Sequence, residues 1–412
     1  MLLQRELPRS SSITGEGILG AVSSLPFATK IVKEGCAELV VPETSEQLAT
    51  TRLPAFYNPL SKVSRDIAVL ATNAYFSGSG SGTVAEPLAG TGARVIRLLL
   101  ESGVFSEAVA GDISEWAVKL MKINVERNGL GGRVSIERSD ANLLLSRLAT
   151  EDRASYVDID PFGSPVKFLE NGFRATGRRG LIGVSATDLA ALSGSSRRTA
   201  LWRYGLTLVK TSFFKEVAIR ALTAVAAMTA ARLGLGAEPI LSVAYRHFVR
   251  VFLSVDKGRR KAYEAAAKVG YLVYCRECLN TFVMKSISNW TEKCSLCGGS
   301  NAALGPIWTG KLYERSVLEK ILASKLAGDP TYEEAMKLFM MLVQEPEDVP
   351  WSFQLAEVSR RARTSPPKSR AVVDRLRELG YRASITHYDR AAIKTDAPAN
   401  ILLQLVRELA GK

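Results

Sequence analysis

Ala154-Ser155-Tyr156-Val157-Asp158-Ile159-Asp160-Pro161-Phe162-Gly163 is an apolar run that ends on an acid, a proline, an aromatic and a glycine. The run from Ala154 predicts a buried strand, and the Asp-Pro step predicts that it stops in an abrupt turn. In open α/β sheets the carboxyl ends of the strands are where ligands bind. This turn suits a small planar polar group. Phe162 can stack on a ring, the Asp160 carboxylate and the Pro161 carbonyl can accept from an exocyclic amine, and Pro161 stiffens the backbone without adding a donor. Asp160 is expected at a solvent-facing strand end, with Gly163 closing the turn. An ordinary strand and turn would use the same residue types, so the strands before it decide the matter.

Val84-Ala85-Glu86 predicts a short strand, followed by a glycine turn through Gly90-Thr91-Gly92 and a helix from Ala93 to Glu101. Glycines there let a ligand approach the unpaired N–H groups of a helix start. The dinucleotide fingerprint is only half met, because Val95 stands where its third glycine belongs. Glu107 to Ala110 predicts the next strand, ending in Gly111-Asp112-Ile113, and Ser114 caps a helix that runs to Asn128-Gly129. Asp112 is placed to accept from the two hydroxyls of a ribose. Strand Val134 to Glu137 then leads to Ser139-Asp140-Ala141-Asn142, where Asp140 can accept from an adenine amino group beside small Ala141. Gly180 to Val184 is a fifth strand leading to Thr187-Asp188, Phe213 to Leu233 a helix, and Ile240 to Tyr245 with His247 to Val255 an antiparallel closing pair. Glycine turn, ribose acid, adenine acid and catalytic turn at successive strand ends are the layout of the S-adenosylmethionine-dependent methyltransferase fold. The expected class is therefore α/β, a Rossmann-like class I domain with a mixed seven-stranded sheet.

The rest of the chain adds a partner and a metal. An apolar fraction of 47% and a charged fraction of 23% describe a globular protein of several domains. Arg5, Glu6 and Arg9 interrupt any leader-like start, and Arg220 and Arg232 break the longest apolar helix, so no membrane segment is expected and the reading is cytoplasmic. The net charge of +13 gathers in Arg178-Arg179, Arg197-Arg198, Arg259-Arg260-Lys261 and Arg360-Arg361, which points to a polyanion such as nucleic acid. Ile31 to Val41 alternates as a hairpin about Gly35, Phe56-Tyr57-Asn58-Pro59 and Arg65 can cover a ligand, and Ser77 to Gly82 has the composition of a flexible link. Cys275-x-x-Cys278 and Cys294-x-x-Cys297, fifteen residues apart, have zinc-ribbon spacing, and four thiolates leave no open position, so the zinc is structural. From Trp351 the tail has a winged-helix rhythm, with Lys394 expected on an RNA phosphate path; His247 and His387 are expected in strands rather than in catalysis. The division read from these signals is 1–270 methyltransferase domain with its N-terminal extension, 271–310 zinc module and 311–412 a smaller α+β domain that binds RNA.

These segments resemble the tRNA guanine-26 N2-dimethyltransferases of archaea and eukaryotes. The likeness is carried by Phe56 to Pro59 with Arg65-Asp66, Leu88 to Gly92 with Arg94, Gly111 to Ser114, Asp140 to Asn142, Asp158 to Pro165, Arg178 to Gly180, Ala186 to Asp188, Gly305 to Trp308, and Ile393 to Pro398. Glu86-Pro87 stands where relatives often carry Asp-Pro, and Gly90 where many have Ala. The resemblance implies that Arg65, Glu86, Gly90, Gly92, Arg94, Asp112, Ile113, Asp140 and Ala141 hold S-adenosylmethionine, and that Asp160, Pro161, Phe162 and Gly163 hold the target guanine of a tRNA. No obligate protein partner is implied. The alternatives are methylation of another exocyclic amine, as in DNA adenine methyltransferases, where Phe162 would replace a second proline, and a tRNA-binding protein without catalysis.

Overall fold

The computed structural model describes residue 22 and residues 25–43, 55–78 and 82–411. Arg5, Glu6, Arg9 and residues 79–81 of the Ser-Gly stretch lie outside them. The chain divides into two compact units, residues 1–162, 170–183 and 324–333 in one and residues 163–169, 184–323 and 334–412 in the other.

Strands β1 (Thr29–Glu34) and β2 (Ala37–Pro42) form the expected antiparallel hairpin, turning at Gly35. Helix α1 (Lys62–Tyr75) precedes an alternating series: β3 (Gly82–Glu86), α2 (Ala93–Glu101), β4 (Phe105–Asp112), α3 (Glu115–Arg127), β5 (Val134–Arg138), α4 (Ala141–Thr150) and β6 (Ala154–Ile159). Then come α5 (Val166–Ala175), β7 (Thr176–Ala186), α6 (Phe214–Arg232), β8 (Leu235–Tyr245) and β9 (Phe248–Lys257). The seven later strands make one mixed sheet in the order β5-β4-β3-β6-β7-β9-β8, parallel where β3 meets β4 and β6 and where β4 meets β5, and antiparallel between β8 and β9. A parallel sheet is covered on both faces. Hence β6 is buried on both faces, with Ala154, Tyr156, Val157 and Ile159 all at 0% exposure. The chain steps outward from β3 to β5 and returns to β6 beside β3, so the strand order reverses between β3 and β6. In open α/β sheets such a reversal is where ligands bind, beyond the carboxyl ends of the two strands.

β10 (Val269–Cys275), β11 (Thr281–Met284) and β12 (Asn301–Trp308) form an antiparallel sheet carrying the four cysteines in and beside it. Beyond it, β13 (Phe353–Gln354), α7 (Leu355–Ala362), α8 (Ser369–Glu378), β14 (Ala383–Thr386), β15 (Asp389–Thr395) and α9 (Ala399–Leu409) have the winged-helix sequence of elements, with sheet order β13-β15-β14. Leu279, from the first cysteine pair's loop, packs into the same apolar cluster as Val358, Val372 and Leu402.

Lys394 is not on an RNA path. It is 3% exposed and its Nζ lies 3.0 Å from both Glu216 Oε1 and Glu345 Oε2. A buried ammonium needs such partners. His387 belongs to the same network, with Nδ1 2.7 Å from Glu345 Oε1 and Nε2 accepting from the Ala244 N–H at 3.2 Å. His247 lies in the turn just before β9 rather than within it.

Candidate active site at the reversal of strand order

β3 and β6 end side by side. Their register sets Val84 opposite Tyr156 and Ala85 opposite Val157, and one more step sets Glu86 beside Asp158. Side chains alternate along a strand, so Tyr156, Asp158 and Asp160 leave β6 on one face. The Tyr156 hydroxyl donates to Asp158. Arg94, one residue into α2, meets all three acids: its Nε lies 3.1 Å from Glu86 and 3.4 Å from Asp158, and its Nη2 pairs with Asp160. Its Nη1 donates to the Ser64 carbonyl at 3.3 Å.

Glu86, Asp158 and Arg94 are buried, and the Asp160 side chain is only 24% exposed. Asp160 is therefore held in an ion pair, not directed into solvent as its place at a strand end suggested. One guanidinium cannot neutralise three carboxylates. Burial pushes the Glu86 carboxyl up to about 8, and Asp158 and Asp160 push the same way against the pull of Arg94, so Glu86 keeps its proton at neutral pH. Burial works against the Arg94 charge, but the three acids around it more than offset this and raise its pKa.

The glycine turn is as tight as the sequence implies. Gly90 has φ +54°, and a Cβ there would meet the Phe56 carbonyl oxygen at 2.7 Å. Gly92 caps α2 without a side-chain bond, and Glu86 Oε2 accepts from the Val95 N–H in the first turn at 3.0 Å. Asp112 accepts from the Gly90 N–H at 3.0 Å through Oδ2 and from the Ser114 N–H at 2.9 Å through Oδ1. Asp140 caps α4, its Oδ1 accepting from the N–H groups of Asn142 and Leu143 at 2.8 and 3.3 Å, with Ala141 buried behind it. A carboxylate has about four acceptor positions, so both acids keep capacity for a hydroxyl or an amino group. Ile113 and Leu143 stand 71% and 68% exposed beside these acids, unusual for branched aliphatics and suited to covering a flat ring.

Phe162 is 54% exposed and meets the Phe56 ring edge-on, centroids 4.5 Å apart. Gly163, at φ +71°, donates to Thr187 Oγ1 and accepts from the Thr187 N–H, both at 2.9 Å. Arg65 is turned inward, gripping Glu34 with two bonds of 2.6 Å and the Asn58 carbonyl at 3.1 Å, under the Tyr57 ring. Sequence reasoning passed over Asp158 as a catalytic-site carboxylate, although its two-residue offset from Asp160 was a usable signal. It also missed Arg97, whose partners Glu34 and Asp66 come from distant segments.

The family model for N2,N2-dimethylguanosine tRNA methyltransferase matches residues 35–407. The chain belongs to the N2,N2-dimethylguanosine tRNA methyltransferase family. The tRNA (guanine(26)-N(2))-dimethyltransferase of Methanopyrus kandleri is 37% identical over 385 residues, 93% of this chain and 97% of that one. The tRNA (guanine(26)-N(2)/guanine(27)-N(2))-dimethyltransferase of Aquifex aeolicus is 32% identical over 77% of this chain and 81% of its own length. Trm1 of Pyrococcus horikoshii, solved with S-adenosyl-L-methionine, superimposes with a TM-score of 0.80 at 31% identity, covering 92% of this chain and 99% of that one. The fold is thus the Rossmann-like α/β fold of S-adenosylmethionine-dependent methyltransferases, as its strand-end pattern predicts.

In this N2,N2-dimethylguanosine tRNA methyltransferase family member, Cys275, Cys278, Cys294 and Cys297 bring their sulfurs within 4.8 Å of one another. The Cys275–Cys297 and Cys278–Cys294 sulfurs are 3.5 and 3.7 Å apart, and all four thiols are free. A tetrahedron of ~2.3 Å zinc–sulfur bonds has edges near 3.8 Å, so these residues fit a structural zinc ion. The N–H groups of Glu277 and Leu296 point at the sulfurs of Cys275 and Cys294 at 3.3 and 3.4 Å, as thiolate ligands require. No helix among the described residues is long and apolar enough to cross a membrane.

Proposed function

We propose that this chain transfers two methyl groups from S-adenosylmethionine to the exocyclic N2 of guanine 26 in tRNA, giving N2,N2-dimethylguanosine. The observation that carries the reading is Asp160, held by Arg94 at the reversal of strand order and followed by the exposed ring of Phe162. Family membership over residues 35–407 supports the substrate.

Gly90, Gly92, Asp112, Ile113, Asp140 and Ala141 would hold the donor, with Arg65, Glu86 and Arg94 shaping the pocket from within. The donor supplies an electrophilic sulfonium methyl. What remains for the protein is alignment, because the guanine amine is a weak nucleophile whose lone pair is delocalised into the ring. Asp160 accepts one N–H of the amine and takes its proton as the nitrogen is alkylated, the Pro161 carbonyl accepts the other, and Phe162 stacks on the base. The ion pair with Arg94 fixes the plane of the Asp160 carboxylate. After the first transfer one N–H remains to engage Asp160, and after the second none does, so the reaction ends at two methyl groups.

The basic segments and the 311–412 domain supply tRNA affinity, the 271–310 zinc module supports that domain, and 1–270 carries the chemistry in the cytoplasm. A tRNA transcript with adenine at position 26 should accept no methyl groups. Unchanged incorporation into that transcript would move the target elsewhere, with position 27 the first to inspect given the Aquifex relative.

A further inference from the structure

A cleft of about 340 Å³ in the second compact unit, apart from the reaction turn, combines features that chemistry at Asp160 does not use. Three segments wall it: residues 210–213, the base of the cysteine knuckle from Tyr274 to Thr281, and the β13–α7 junction. Its lining cations are Lys210, Arg276, Arg360 and Arg361, against one lining acid, Glu357. Arg360 and Arg361 are occupied by Glu357, and Arg361 also reaches Glu277. Lys210 and Arg276 are exposed and have no acidic partner among the described residues. A second, independent feature lies in the wall: the Thr211 residue is 5% exposed, yet its Oγ1 has no hydrogen-bond partner. An unsatisfied buried hydroxyl costs about as much as a lost hydrogen bond, so a partner that Thr211 gains by turning toward the cleft would be favoured. The Tyr274 ring stands beside it, edge-on to Phe213 at 5.9 Å, with its hydroxyl 3.5 Å from the Lys210 carbonyl.

We propose that this cleft is an anchoring site for the RNA backbone: Lys210 and Arg276 take one phosphodiester, the Thr211 side chain, whose Oγ1 is closed to solvent in the free protein, rotates to donate to one of its oxygens, and the adjoining ribose or base lies against Tyr274. Two unpaired cations, a hydroxyl donor and an aromatic face match a nucleotide, whereas an acidic peptide would leave the ring and the hydroxyl unused. The site rests on the tRNA reading and extends it, since it assigns affinity to residues that the reaction turn does not include. Because Arg276 lies between two zinc ligands, the metal would fix one of the two cations in place.

The test is steady-state methylation of a tRNA transcript across a salt series. Lys210→Gln with Arg276→Gln should raise the tRNA KM about tenfold or more, leave kcat and donor affinity within about twofold, and lower the slope of log KM against log salt by about 1, the one phosphate the pair neutralises. Lys119→Gln with Lys122→Gln, which removes the same charge from exposed α3 positions, should leave KM within about twofold. Thr211→Val should raise KM about fivefold while the melting temperature holds or rises, because a purely structural hydroxyl would lower it on removal. Equal KM changes in both lysine-containing pairs, or wild-type tRNA kinetics in the cleft variants as expected if a protein or a small anion occupies it, would overturn the site. Wild-type enzyme that makes no dimethylguanosine would instead count against the function itself.

Discussion

Replacing Asp112 by alanine removes two acceptor oxygens that tie Gly90 to Ser114 as well as the ribose contact assigned to it. Donor affinity should fall by about 1–3 kcal/mol, read by calorimetry, with little change in melting temperature. Unchanged donor binding would remove Asp112 from the pocket. Arg94 is different in kind, since Arg94→Gln leaves Asp158 and Asp160 side by side without their cation. Removing one partner of a buried pair costs about 3–5 kcal/mol, so this variant should melt far earlier than Asp112→Ala. The strand-end positions of Asp112, Asp140 and Asp160 were legible because acids at successive strand ends follow from local pattern alone. The partners of Arg65 and Lys394 were not, because they lie 31 and 178 residues away. A lone basic residue in a sequence reads the same whether it faces a phosphate or a buried carboxylate.

Strands and helices were more legible than side-chain partners. The β6 run, the helix Ala93–Glu101 and the Ser114 cap stand where apolar period and capping chemistry put them, because each depends on neighbours within a few residues. The cysteine spacing likewise identified the metal module, but its link to the tail is a tertiary fact carried by Leu279 in the cluster of α7, α8 and α9. Purified protein should contain one zinc per chain by elemental analysis. Cys275→Ser or chelation should loosen that cluster, seen as faster amide exchange in α7 and α9, while donor binding persists. Protection that stays at wild-type level after metal loss would show the tail to be independent of the knuckle.

At the scale of the whole molecule, buried acids make stability depend on pH in a defined direction. Burial raises Glu34, but Arg65 and Arg97 outweigh it and hold the carboxyl down to about 2. Glu345 is also held at about 2, with Lys394 and His387 overcoming the cost of burial. A carboxyl depressed on folding stabilises the native state above its unfolded value near 4.5 and loses that contribution as pH falls toward 2. Each is worth on the order of 3 kcal/mol; thermal melts should therefore rise somewhat from pH 7 to 5, where Glu86 holds a proton that the unfolded chain has lost, and then drop steeply between about 4.5 and 2. Glu34→Gln should start lower at pH 7 and show a shallower fall; an acid limb as steep as wild type would detach Glu34 from it. The proposed chemistry, in turn, rests on Asp160. Asp160→Asn keeps the shape and one acceptor oxygen, and Asp160→Ala keeps neither. The most direct measurement is mass spectrometry of nucleosides from tRNA incubated with a labelled donor. Wild type should give N2,N2-dimethylguanosine, Asp160→Asn mainly the monomethyl product, and Asp160→Ala product at least about a hundredfold more slowly with donor binding intact; full dimethylation by both variants would contradict a catalytic role for this carboxylate.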